Sequence, residues 1–321
     1  MNSFSKNLIL GLICLMFFLK AYGKVNVIDY RGYSDCIKIS NNNTTVIISP
    51  RTGGRILSYS LNGEDIIYHD SLQDGKTFLD WTLVNFDWCG GRFDYGPEKY
   101  VTNRHASTWS GAWDVIQKTN YSVKIVSQPD FLLGIISYRE FIISPDNSSL
   151  TIKSSMRNFS KEEVGYYFWS RTLVKAGGEL YLPIRKNGFY KQKGWGQFIW
   201  NPDRIAKDTI NKQITVKNDV LRFKGNESQT TKGGADGMEG WMLYKRGDIV
   251  FKKEYECYPT GSYKASENMT AIFYANNSFV EIEPVSPLYS LNPGEQAFFE
   301  EHWMLRREVD TITIDNIKSK L

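Results

Sequence analysis

The chain is poor in the residues that mark the commonest functional classes. Histidine occurs three times in 321 residues, at His69, His105 and His302. Cysteine occurs four times, and Cys14 lies inside an N-terminal apolar run. The remaining Cys36, Cys89 and Cys257 are an odd number, so they cannot all pair internally, and their spacing is not that of a zinc site. One disulfide has room to form in an oxidising compartment, with no pairing indicated. A formal charge of +4 is close to balance and predicts no nucleic-acid partner. No G-x-S-x-G elbow, H-E-x-x-H helix, P-loop, dinucleotide fingerprint or clear calcium loop is present, so neither a metal nor a cofactor is expected. There is no Pro/Ser-rich linker, no low-complexity tract, no repeat of fixed period, and no 3.6-residue apolar pattern sustained over three turns.

The one uninterrupted apolar run is "LILGLICLMFFL", Leu8 to Leu19, after Lys6 and before the small residues of "AYG". It is shorter than the roughly 20 residues a membrane-spanning helix takes. The pattern is that of a secretory signal over residues 1–23, which predicts a secreted or periplasmic protein with no membrane attachment after cleavage. Cleavage would remove Lys6 and Lys20 and no acid, lowering the formal charge by two. Residues 24–321 then read as a single domain, long for one unit but within the reach of a large β-sandwich.

Period-2 segments fill that domain. "TTVIISP" leads through "RTGGR" to "ILSYSLNGEDIIYH", where Asn62-Gly63 between apolar runs is a hairpin signal. "YSVKIVSQ", "GIISYREFIIS", "LTIKSSMRNFS", "ELYLPI" and "GQFIWNP" continue the alternation. "GWMLYKRGDIVFKKEYECYP" turns at Arg246-Gly247-Asp248, and "MTAIFYANNSFVEIEPVSPL" at Asn276-Asn277. "EQAFFEEHWML" follows Pro293-Gly294. The chain is therefore expected to be all-β, with two large packed antiparallel sheets. The Gly-rich stretch Lys224 to Gly240, including Asp236, reads as a long loop, and "REVDTITIDNIKSKL" as one last strand with a ragged end.

Glu281 and Glu283 stand two apart in a strand-like run. They share a face, roughly 6.5–7 Å apart, while Val280 and Ile282 point into the packed layer. Residue types alone leave two readings, a solvent-facing pair of acids or a site. Arg92 follows Gly90-Gly91, whose glycines permit close backbone approach. Its planar donor fork suits vicinal hydroxyls, a carboxylate or a structural ion pair. With 9 Trp, 19 Tyr and 18 Phe, the chain is rich in rings that serve strands or stack on sugars.

Several motifs in order resemble galactose mutarotase (aldose 1-epimerase)-like proteins. "ISPRTGGRILSYSLNGEDIIY" resembles their opening hairpins. "WCGGRFDYGPE" resembles the segment that brings an Arg to the sugar pocket, and "VEIEPVSPLYSLNPGEQAFFEEHWML" resembles the closing strands that carry a catalytic Glu. "GYYFWSRTLVKAGGELYLP" and "GWMLYKRGDIVFKKEYECYP" resemble the uncharacterised DUF4380 branch. The resemblance covers most of residues 24–321 and implies a galactose-mutarotase-like β-supersandwich whose concave face binds a mono- or oligosaccharide. It places Glu281 as the base that takes the anomeric hydroxyl proton, with Glu283 the match if the register shifts by one step. It makes Arg92 a sugar contact, with Glu98 and Asp87 as weaker candidates.

The mutarotase acid is a His on the strand resembling "YYFWSRTL". Here Trp169, Ser170 and Arg171 stand in that neighbourhood, and neither Trp nor Arg delivers a proton at useful pKa. Trp169 is then a stacking platform or a core residue, and Arg171 a reader of an acidic sugar or an outward-facing residue. His105, in "NRHASTWSGAW", lies near the family's Leu-His-Gly-Gly segment and is the alternative acid. Trp109 and Trp113 are expected at the same mouth, His69 in a loop, and His302 in a structural role. The expected function is carbohydrate binding of the aldose-epimerase type. A sugar-isomerase activity and a non-catalytic saccharide-binding or structural domain both stay open, as does the oligomeric state.

Overall fold

The computed structural model describes residues 23–77, 89–98, 101, 106–190, 193–199, 204–206, 211–225 and 229–321. Residues 1–22, which hold all but the last residue of the expected signal, lie outside the described residues, as do His105 and Asp87. No helix among the described residues is long and apolar enough to cross a membrane.

Two large antiparallel sheets pack face to face, as the alternating segments predict. In the first, of 13 strands, the centre runs in space as Gly91–Gly96, Val164–Lys175, Phe279–Pro284, Ala271–Ala275, Thr231–Ala235 and Trp195–Ile199. Four strands from Lys24–Tyr30 to Arg55–Leu61 extend it on one side. The second has ten strands, with Trp241–Arg246, Ile249–Tyr255, Gln296–Arg307, Leu150–Asn158 and Ile135–Ile143 consecutive at its centre.

Turn chemistry explains the hairpins. Leu61 pairs with Glu64, so Asn62-Gly63 forms a two-residue turn, and both residues have positive φ, 50° and 83°. That is the conformation Asn and Gly tolerate best. Arg246 pairs with Ile249 across another two-residue turn, with Gly247 at φ 61°.

One apolar core fills the space between the sheets. Phe93, Tyr95, Phe168, Val280 and Ile282 reach it from the first sheet; Phe251, Phe299, Trp303 and Ile152 reach it from the second. Phe168 and Phe299 stack across the divide, with ring centroids 5.7 Å apart. A charged group sits in the same interior. The Lys253 ammonium lies 3.1 Å from Glu301, and both are fully buried.

Three expectations are corrected. The Gly-rich Lys224–Gly240 stretch is not one loop, because Thr231–Ala235 is a strand between Ala271–Ala275 and Trp195–Ile199. Glycine is what lets it fit: a Cβ on Gly234 would stand 2.5 Å from the Ala271 carbonyl oxygen. Asp236, at the end of this strand, is buried and accepts a hydrogen bond from the Phe189 amide. The C-terminal segment after Arg307 adds no strand. Ile312 and Ile317 instead anchor it on Tyr181, Leu243 and Val250, apolar side chains on the second sheet's far face. Trp113 is directed into the main core rather than toward a mouth. Cys36, Cys89 and Cys257 are all free, and the first two are buried.

Candidate functional site

Strand alternation puts one chemistry on each face of the first sheet. On Gly91–Gly96, Phe93 and Tyr95 point into the core, so Arg92 and Asp94 point away from it. On Val164–Lys175, Phe168 and Val174 point inward and Trp169 and Arg171 outward. On Phe279–Pro284, Val280 and Ile282 point inward and Glu281 and Glu283 outward. Register then assembles the cluster. Arg171 sits opposite Arg92, Trp169 opposite Asp94, and Leu173 opposite Glu281.

The contacts are specific. Arg92 Nη2 donates to Glu281 Oε1 at 2.9 Å. Trp169 Nε1 donates to Glu283 Oε2 at 2.7 Å. Arg171 Nη2 lies 3.5 Å from Asp94 and 3.4 Å from Glu98. The Arg171 guanidinium also lies 3.6 Å from the centroid of the Trp169 ring, close enough for a strong cation–π contact. Lys232 Nζ adds a cation 3.9 Å from Glu98 and 4.9 Å from the Phe198 ring centroid. The Arg92 guanidinium lies 5.2 Å from the Trp109 ring centroid.

Exposure grades across the cluster. Arg92 and Glu281 side chains are 1% and 4% exposed, Arg171 8%, Lys232 12% and Glu98 43%. Glu98 is thus the rim and Glu281 the floor. The reading of Glu281 and Glu283 as surface acids is excluded, since both are buried. Trp169 is buried as well and offers no open face. Its ring lies beneath Arg171, and its nitrogen fixes Glu283, so a ligand would meet Arg171 and Glu98 before the indole.

Burial controls the electrostatics. It raises the Glu281 pKa well above the carboxylate range, and the neighbouring Glu283 raises it further, against the lowering pull of Arg92 and Arg171. For Arg171 burial works against the charge, but Asp94, Glu98, Glu283 and Glu281 outweigh it and hold the pKa raised. Glu283 Oε1 and Arg171 Nε have no hydrogen-bond partner among the described residues. Two buried polar atoms are therefore left for a hydroxyl or water to satisfy.

The raised Glu281 pKa has a consequence for stability. The folded chain holds this proton to higher pH than the unfolded chain, whose carboxyl titrates near about 4.3. Below that pH the group costs nothing. As pH climbs through the window up to the folded value, the folded state becomes less favoured, and above it the penalty is complete. Glu281→Gln removes the titration and keeps an acceptor for Arg92. The wild-type melting temperature is expected to fall relative to the variant as pH rises through this window. Parallel profiles across the pH series would contradict the assignment.

The sequence pointed to Arg92, Glu98, Trp169, Arg171, Glu281, Glu283 and Trp109, and the fold brings them to one outer face. It adds Asp94 and Lys232, which the sequence reading missed. Asp94 was legible, since it stands two residues from Arg92. Lys232 was hidden in the Gly-rich stretch. His69 lies beside Asp74, and His302 is exposed beside Glu300 and Thr151, on strands of the second sheet. Among the described residues no group of three or more His, Cys, Asp or Glu is placed to hold a metal.

No protein-family model and no curated protein matches this sequence. Solved structures do match. A galactose mutarotase-like protein from Lactobacillus casei superposes with a TM-score of 0.60 at 10% identity, over 84% of this chain and 100% of its own. Another from Clostridium acetobutylicum gives 0.58 at 10% identity, over 90% and 99%. A candidate aldose 1-epimerase from Escherichia coli K12 gives 0.56 at 11% identity, over 83% and 97%. These likenesses show the fold, two large antiparallel sheets of the galactose mutarotase-like kind.

Proposed function

We propose that this protein is an exported carbohydrate-binding protein of the aldose-epimerase type, from the DUF4380 branch, with its site on the outer face of the first sheet. The observation that carries the reading is the convergence of Glu281, Arg92, Arg171 and Glu98 on one face of a fold shared with galactose mutarotase-like proteins. Arg171 and Lys232 supply charged donors and Glu98 an acceptor, the mixture that hydroxyl-bearing rings require. The two cations suit an aldose with a carboxylate, so a uronic acid is the preferred ligand.

A reaction at the anomeric centre is the catalytic form of this proposal. A carboxylate takes the proton from O1 while an acid delivers one to the ring oxygen, which opens the ring. Glu281 is the carboxylate that the resemblance makes the base, and burial raises its affinity for a proton. His105, outside the described residues, is the remaining candidate for the acid. The non-catalytic reading has its own observation in Trp169 and Arg171, which stand where a mutarotase acid would and cannot transfer a proton.

The test is a panel of reducing sugars and uronic acids, with anomer exchange followed by NMR. Exchange above background is expected for at least one sugar, falling by about 10²–10⁴-fold in Glu281→Gln. Binding without exchange would leave the binding module alone standing. Neither binding nor exchange would overturn both readings.

A further inference from the structure

A second cleft, of about 700 Å³, opens at one end of the sandwich. Three connections form it: the end of Val164–Lys175 with Ala176–Gly178, the Asn276–Ser278 turn, and the turn after Trp241–Arg246. Arg31 and His69 close its other side. It shares no lining residue with the Glu281 cluster, and Lys175 lies four residues, about 13 Å, along the strand from Arg171.

The lining is one-sided in charge. Arg31, Lys175 and Arg246 contribute three cations, His69 a titratable ring, and Asn277 and Ser278 neutral donors, while no acidic side chain lines it among the described residues. The cations are held but incompletely used. Arg246 Nε donates to the Ala176 carbonyl at 2.9 Å, and Lys175 Nζ donates to the Asp65 carbonyl at 2.8 Å. The Arg31 guanidinium lies 5.1 Å from the Tyr30 ring centroid, and its Nη1 is buried with no hydrogen-bond partner among the described residues. Three carboxylates stand nearby without lining the cleft. Asp65 accepts from the Tyr59 and Ile67 amides and feels the Lys175 charge, Asp74 pairs with His69, and Asp248 pairs with Arg307.

A cavity of this size matches a disaccharide-sized ligand. A set of guanidinium and ammonium donors with no acid in the lining among the described residues matches an oxyanion. We propose that this cleft is a second binding site, for a sugar that carries a sulfate group, separate from the outer-face site. Arg31 and Arg246 grip the oxyanion, and Asn277 and Ser278 meet ring hydroxyls.

The experiment is calorimetric titration of the full chain with a sulfated disaccharide, its desulfated parent and inorganic sulfate. One sulfated disaccharide is expected to bind per chain, with inorganic sulfate competing and the desulfated parent much weaker. Arg31→Gln, in a turn, and Arg246→Gln, at the exposed end of its strand, are each expected to weaken binding by about tenfold or more. Glu281→Gln is expected to leave this affinity unchanged, which separates the two sites. The proposal is overturned if the sulfated disaccharide does not bind, or if the desulfated parent binds equally well. It is also overturned if sulfate does not compete, if the affinity survives in both arginine variants, or if it falls in Glu281→Gln.

Discussion

Lys253→Met is expected to destabilise the protein by about 3–5 kcal/mol, the cost of leaving a buried charge without its partner. Lys253 points into the sandwich from Ile249–Tyr255. Its ammonium lies 3.1 Å from Glu301, donates to Ser170 Oγ at 3.2 Å and to the Ile282 carbonyl at 3.3 Å, and sits 4.7 Å from the Trp303 ring centroid. Burial pushes its pKa down to about 8, with Glu301 pulling the other way. Arg139 is in the same interior, its pKa lowered by burial to about 10 and partly restored by Glu301. Glu301 thus holds two interior cations, and its Oε2 has no hydrogen-bond partner among the described residues.

Methionine keeps the volume of Lys253 and removes the charge, which leaves Glu301 with Arg139 and the Trp303 indole as its partners. The double variant Lys253→Met/Glu301→Gln removes the unpaired carboxylate, keeps an acceptor for the Trp303 indole and leaves Arg139 its Gly54 carbonyl, and is expected to recover part of the loss. Urea unfolding measures this as a shift of midpoint at constant slope. A single-variant cost below about 1 kcal/mol, the usual worth of an exposed pair, would contradict the assignment. The position matters for the site as well. Ser170 and Ile282 are the inward neighbours of Trp169, Arg171, Glu281 and Glu283, so Lys253 ties together from behind two of the strands that carry the outer cluster.

The sequence made these strands legible but not their depth. Alternation shows that Glu281 and Glu283 share a face, as do Arg92 and Asp94, because period 2 is a local property of the backbone. It cannot show that the face is covered. The Arg92–Glu281 pair spans 189 residues and depends on a strand order that no local pattern encodes. The same limit hid the interior ion pair. "FKKEY" and "FFEEHWML" each carry two adjacent like charges, one on each strand face, and nothing local marks Lys253 and Glu301 as the inward members that meet each other. Lys232 was missed for a different reason. Its neighbours Gly233 and Gly234 carry the composition of a loop, and their role here is to let strands approach closely.

Arg171→Gln is expected to have the largest effect on ligand binding. Arg171 links the buried part of the outer cluster to its rim, through Trp169, Asp94 and Glu98. Glutamine keeps a donor and loses the charge and the planar fork. A charge-assisted hydrogen bond to the ligand would go with it, which lowers affinity by about ten- to a hundredfold. Cation–π support for the Trp169 ring is lost too, so a melting curve should accompany the titration to show that the variant is folded. The most direct measurement of the account is therefore a calorimetric titration of wild type and Arg171→Gln with a uronic acid. Saturable wild-type binding that weakens at least tenfold in the folded variant is the predicted result. Equal affinity in the two proteins, or no binding by the wild type, would contradict the placement of a saccharide on this face.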